Sequence, residues 1–229
     1  MKLFILLFAL CFSLNAQEID HTIWTAYLRD HVSQRGQVNY KAILENSSEL
    51  NTYLNEYVKI HPEKTWSKNE TLTYWINAYN AFTIKLIIDN YPVNSINDIS
   101  QPWDKKFIPI NGNLMSLNEI EHEILRKMDE PRIHFAINCA SVSCPKLLNE
   151  AYVADRLNEQ LENAAKEFIN SEQNQLISGN IKISKIFKWF KGDFENNSSV
   201  IDFINQYATT KIDKNEKVGY LEYNWSLNE

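Results

Sequence analysis

The sequence predicts an α+β fold: a mostly helical single domain over residues 17–229, with a small antiparallel sheet. Three features predict it. Residues 67–90 carry apolar side chains at helical spacing. Residues 107–115 and 176–183 each read as a hairpin, the first around Asn111-Gly112. No Gly/Ser linker, long proline run or repeat divides the chain, and 44% apolar residues are ample for one core.

Residues 18–33 read as helix, 36–40 as a short extended link and 41–59 as helix again. Ser67 can cap the helix over 67–90, with Glu70 three residues on, the reciprocal capping arrangement. Its residues Leu72, Trp75, Ile76, Tyr79, Thr83, Leu86 and Ile87 share one face, and Tyr91-Pro92 ends it. Ser116 with Glu119 repeats the capping pattern for a helix running to about Met128. Arg132–Asn138 reads as a short strand and 151–170 as an amphipathic helix. Ser184–Lys191 and Ser199–Tyr207 are short helices, and Val218–Tyr223 a closing strand.

The N-terminus predicts export. Met1-Lys2 precedes an apolar run from Leu3 to Leu14, and Ala16-Gln17 is a credible cut site. A dozen apolar residues fall short of the ~20 that span a bilayer, so residues 1–16 read as a cleaved signal with no stable span in the mature form. Leu10 before Cys11 argues against a lipid-anchored cysteine. A periplasmic or secreted protein is therefore expected. Loss of Lys2 takes the net charge from −6 to −7, which excludes nonspecific nucleic-acid binding. There is no Gly-rich phosphate loop, no Gly-x-Ser-x-Gly, no His-Glu-x-x-His and no Cys-x-x-Cys. Glu18-Ile19-Asp20-His21 and Glu119-Ile120-Glu121-His122 match a di-iron ligand spacing, but the fold does not read as a four-helix bundle. No cofactor or metal is expected.

The segment richest in chemistry runs from Arg132 through His134, Asn138, Cys139 and Ser141 to Cys144-Pro145. An extended chain ending in a loop of small, polar and thiol residues is where a scaffold displays reactive groups. Strict alternation points His134 and Cys139 apart unless the chain turns at Asn138. His122, flanked by Glu121 and Glu123, is the alternative base for a thiol that must ionise to react. Cys139 and Cys144 can form a disulfide, or act as a reactive thiol and its resolving partner. Asn77 and Asn80, one turn apart among aromatics, predict buried side-chain hydrogen bonds, to the protein or to a ligand. In the aromatic run 184–194, Asp193 either orients a histidine across the fold or serves a turn.

Taken in order, these segments resemble the domain-of-unknown-function 547 family. They are Tyr74-Trp75-Ile76-Asn77-Ala78-Tyr79-Asn80-Ala81, Ser116–His122, His134-Phe135-Ala136-Ile137-Asn138-Cys139-Ala140, Ser143-Cys144-Pro145, Lys185–Phe190, Asp193-Phe194 and Tyr223–Asn228. The likeness spans about residues 20–228. It implies an exported bacterial protein and no established catalytic set. It implies that the Cys139 position usually keeps its cysteine, whereas the Cys144 position is often serine in plant relatives. It implies that the His122 position varies, that the Glu121 position is steadier, and that the Lys85 position holds histidine in some members.

Two functions follow. One is a thiol hydrolase or acyl transferase acting on amide or ester bonds of an envelope substrate. Cys139 is its nucleophile, His122 or His134 its base, and Asn80, Glu121 or Asp193 the orienting group. The other is a non-catalytic envelope binding or scaffold module that docks a protein partner, closed by a Cys139–Cys144 disulfide.

Overall fold

A computed structural model describes residues 19–196 and 199–229. The signal reading of residues 1–16 and the first Glu-x-x-His glutamate lie outside the described residues.

Helix α1 (His21–His31) starts where the Asp20 carboxylate accepts from the Thr22 N–H at 2.9 Å. The helix anticipated over 41–59 is two, α2 (Tyr40–Glu45) and α3 (Ser48–Lys59). Asn46-Ser47 divides them, because short polar side chains there bond locally and compete with the helix. Helix α4 (Lys68–Ile88) carries the anticipated reciprocal cap between Ser67 and Glu70. It is buried on all sides rather than on one face, with Asn77, Asn80 and Thr83 among its buried residues.

The Asn-Gly hairpin forms β1 (Ile108–Ile110) and β2 (Asn113–Met115). Asn111 and Gly112 adopt φ of +50° and +73°, as the two central residues of such a turn require. Ser116 and Glu119 cap each other at 2.8 and 3.1 Å. The helix that follows is not a regular α-helix: Glu119–Ile124 is a π-turn and Leu125–Met128 a 3₁₀ turn, ended by Asp129 at φ +48°.

The expected strand over 132–138 is a correction. Pro131–Phe135 is a 3₁₀ helix, with Pro131 in its first turn and the Glu130 carboxylate capping the Arg132 N–H. The alternation read there has no solvent side, since Ile133 through Asn138 are all buried, and no strand among the described residues pairs with it.

Helix α5 (Leu157–Ile169) begins six residues later than anticipated, after a 3₁₀ turn at Ala154–Arg156. Strands β3 (Gln175–Ile177) and β4 (Asn180–Ile183) form the second hairpin. Three short helices follow, α6 (Ile186–Trp189), α7 (Lys191–Phe194) and α8 (Val200–Tyr207). Strand β5 (Val218–Tyr220) then pairs with β4 in parallel, so this three-stranded sheet is mixed and not purely antiparallel. The intervening helices supply the crossover that a parallel pair needs. The fold is α+β and mostly helical.

The apolar residues form two clusters. One surrounds α4, with α1–α3, β1 and Leu117, Ile120 and Leu125. The other joins α5, β4 and α6–α8. Residues 131–137 lie on the seam: Ile133, Ala136 and Ile137 pack into the first cluster and Phe135 into the second. Among the described residues no helix is long and apolar enough to cross a membrane.

Candidate functional site

Beyond the seam, residues 138–145 form a loop held by side-chain amides and by backbone bonds to the C-terminal segment. Asn80 of α4 donates to the Ala136 carbonyl at 2.9 Å and accepts from the Asn138 N–H at 2.8 Å. Asn138 donates to the Pro145 carbonyl and accepts from the Ala140 N–H, both at 2.8 Å. Ala140 takes φ +56°, the left-handed turn that brings the chain back on itself. The C-terminal segment straps the loop, with Val142 N–H bonded to Ser226 O at 2.9 Å and Asn224 N–H to Ser143 Oγ at 2.9 Å. Asn80 therefore positions the loop backbone, and Asn77 does the same for Tyr152 through bonds of 2.9 and 3.0 Å.

This loop holds Cys139 and Cys144 as free thiols, both half-buried, with 3.0 Å between their sulfurs. The Cys139 N–H donates to Cys144 Sγ at 3.0 Å, which holds the two sulfurs together. Ser141 Oγ and Tyr223 OH each lie 3.3 Å from Cys139 Sγ. Ser141 donates to the Tyr223 oxygen at 3.1 Å, so the phenol's own hydrogen is free for the sulfur. The Cys144 hydrogen bond, with those of Ser141 and Tyr223, outweighs burial and brings the Cys139 thiol down toward neutral pH. Burial and the neighbouring Cys139 push Cys144 the other way, so it remains a thiol and a donor.

No histidine is among the hydrogen-bond partners of Cys139. His134 is buried and stacks on Phe190, with 4.0 Å between ring centroids, and its Nε2 donates to Asp193 Oδ2 at 2.8 Å. Arg126 forks onto the same carboxylate at 2.6 and 2.9 Å and donates to His122 Nδ1 at 2.6 Å. Burial would raise the Asp193 carboxyl, but the bonds from Arg126 and His134 hold it well below the usual range. Burial, with Arg126 nearby, pushes both imidazoles down and favours their neutral forms, against the Asp193 carboxylate. Arg126 occupies the His122 Nδ1 lone pair, which leaves its Nε2 as a donor rather than a base.

Among the described residues Glu121 makes no hydrogen bond to a histidine. It is 7% exposed and accepts from Tyr79 OH at 3.1 Å. Burial raises its carboxyl from the usual 4.5 to about 7, against the Tyr79 bond and with help from the charge on Cys139. Glu119, the other acid of the Glu-x-x-His match, is committed to Ser116 and Lys106. No group of three or more potential metal ligands gathers among the described residues.

These groups share one cavity of about 340 Å³, lined by Glu121, His122, His134, Cys139 and Cys144 and walled by aromatic rings. Trp103, Trp189, Tyr223 and Trp225 pack on one another with centroids 4.5–5.7 Å apart. Sequence reasoning missed Tyr79, Arg126, Ser141 and Tyr223. Ser141 carried a signal, as a hydroxyl between two cysteines, whereas Tyr223 lies 84 residues from the sulfur it faces.

A family model described as "Protein of unknown function, DUF547" matches residues 63–169. Over those residues the chain resembles this family. The matched stretch contains α4, Glu121, His122, His134, Cys139 and Cys144, while the DUF547 match ends before Asp193 and Tyr223. No curated protein and no solved structure matches the chain.

Proposed function

We propose that this protein is an exported, cysteine-dependent hydrolase or acyl transferase acting on amide or ester bonds of the cell envelope. Cys139 is the nucleophile and Glu121 the proton carrier. The supporting observation is a thiol whose sulfur faces the Cys144 thiol and the Tyr223 phenol as hydrogen-bond donors and opens into the same aromatic cavity as a carboxyl that titrates near 7.

The Cys139 thiolate attacks the acyl carbon to form a thioester. The departing amine or alkoxide takes its proton from neutral Glu121. The resulting carboxylate then takes a proton from the water or acceptor that attacks the thioester. A carboxyl poised near 7 serves both directions at neutral pH. His122 supplies an N–H toward the cavity, and the Arg126–Asp193–His134 group holds the wall behind it.

Mass spectrometry of the protein treated with an activated ester tests the reading. One acyl group on the Cys139 peptide is the expected product, with none in Cys139→Ser. In Glu121→Gln the thioester should persist at least ~100-fold longer, the usual contribution of a positioned acid–base group. Acylation of Cys139 no faster than that of free cysteine at the same pH would refute the reading.

The alternative, a scaffold module closed by a Cys139–Cys144 disulfide, draws on the 3.0 Å separation of the sulfurs. Non-reducing mass measurement of material taken from the envelope distinguishes the two. A permanent, dithiol-resistant bridge would favour the scaffold.

A further inference from the structure

The residue that lowers Cys139 is another thiol rather than an imidazole, and the two sulfurs differ in what they face. Cys139 lines the aromatic cavity of about 340 Å³. Cys144 lines that cavity and also a second groove of about 540 Å³. This second groove is rimmed by Arg35, Gln37, Lys146, Glu172 and Gln173. Neither the groove nor the second sulfur's access to it takes part in the acyl chemistry.

We infer that Cys139 and Cys144 also form a thiol–disulfide exchange pair, with a substrate disulfide met by Cys139 in the aromatic cavity and a dithiol reductant met by Cys144 in the second groove. The pair shares its nucleophile with the acyl reading but not its chemistry.

Cys139 thiolate attacks one sulfur of a substrate disulfide, forming a mixed disulfide and expelling the other half as a thiolate, which takes a proton from solvent. Cys144 loses its proton to solvent and attacks Cys139 Sγ, forming the internal disulfide and releasing the second substrate thiol. The substrate gains two electrons and the cysteine pair loses them. An external dithiol then attacks Cys144 Sγ and, in a second exchange, leaves as its own disulfide and restores both thiols.

Three observations support the order of events. The sulfurs, 3.0 Å apart, are about 1 Å from bonding distance. The Cys139 N–H on Cys144 Sγ holds the second sulfur against the first. The loop that carries both is clamped by Asn80, Asn138 and the C-terminal strap, so resolution within the loop competes with release of the mixed disulfide.

The test uses the reduced full chain, mixed at pH 7 with glutathione disulfide, quenched in acid and weighed intact. Wild type should pass to a species lighter by two hydrogens without holding a glutathione adduct, and dithiothreitol should restore it. Cys144→Ser keeps a hydroxyl donor but no resolving sulfur, and it should accumulate one glutathione on Cys139. That adduct should form about threefold faster than on an ordinary thiol titrating near 8.5, a larger thiolate fraction partly offset by lower intrinsic nucleophilicity. Cys139→Ser should form neither product at a comparable rate. Cys144→Ala, checked by circular dichroism, covers misfolding of the serine variant. A wild type that retains the glutathione adduct, or a folded Cys144 variant whose Cys139 stays unmodified, would overturn the inference. Acylation of Cys144→Ser by the activated ester is scored separately, so either activity can fail without the other.

Discussion

Replacing Glu121 with Gln probes the buried carboxyl without changing the volume it fills or its contact with Tyr79 OH. The wild-type carboxyl titrates at about 7 in the folded protein against the usual 4.5. Between those values the folded state keeps a proton that the unfolded chain has released. Stability therefore falls as pH rises through that window and levels off above about 7. At 1.36 kcal/mol per unit, the 2.5-unit gap corresponds to a loss of about 3 kcal/mol, an upper figure for a site that can admit water. Glutamine has no such proton. Urea unfolding of both proteins at half-unit steps from pH 4.5 to 8 supplies the difference directly, since other groups such as His21 cancel in it. The variant should gain steadily on wild type from pH 4.5 to 7 and hold a constant margin above. A difference independent of pH would refute the assignment of a neutral, buried Glu121, and with it the acid role.

Three further outcomes follow from the geometry. Asn80→Ala strips the Ala136 carbonyl and the Asn138 N–H of their partners inside the core, so chemical denaturation should show a loss of ~2–4 kcal/mol. Exposed Asn113→Ala should cost under ~1 kcal/mol by the same measurement. Arg126→Gln removes a cation that depresses both His122 and His134, so imidazole resonances followed by NMR should show both rings titrating at higher pH than in wild type. Gly36→Ala should cost clearly more than Gly179→Ala in thermal unfolding. Both glycines hold positive φ, but a Cβ at Gly36 meets Lys146 Cβ at 2.6 Å and the Leu147 nitrogen at 2.9 Å, while one at Gly179 enters open space, leaving only left-handed strain of ~1–2 kcal/mol.

The parts of the fold legible in the sequence are those with local causes. The reciprocal caps at Ser67–Glu70 and Ser116–Glu119 involve residues three apart, and the Asn111-Gly112 turn needs only two residues that tolerate positive φ. Apolar spacing was enough to find α4 and α8 to within two residues of their starts and ends, and the end but not the start of α5. Where burial was complete, the same reasoning failed. Residues 133–138 have no wet face, so alternation there carried no meaning and a 3₁₀ helix took the place of the strand. The parallel pairing of β5 was equally hidden, because it joins segments 37 residues apart through an intervening crossover.

The sequence by itself determined an α+β domain with a thiol-bearing loop after a histidine-containing segment, because composition, caps and turns are local properties. Tertiary structure alone decided what surrounds that thiol. Tyr223 and Cys144 stand at the sulfur, Asp193 holds His134 rather than leaving it to Cys139, and Glu121 sits in an apolar wall that keeps its proton. Proton affinities are set by burial and by the charges and donors within a few ångströms, and those neighbours arrive from positions as far as 84 residues along the chain.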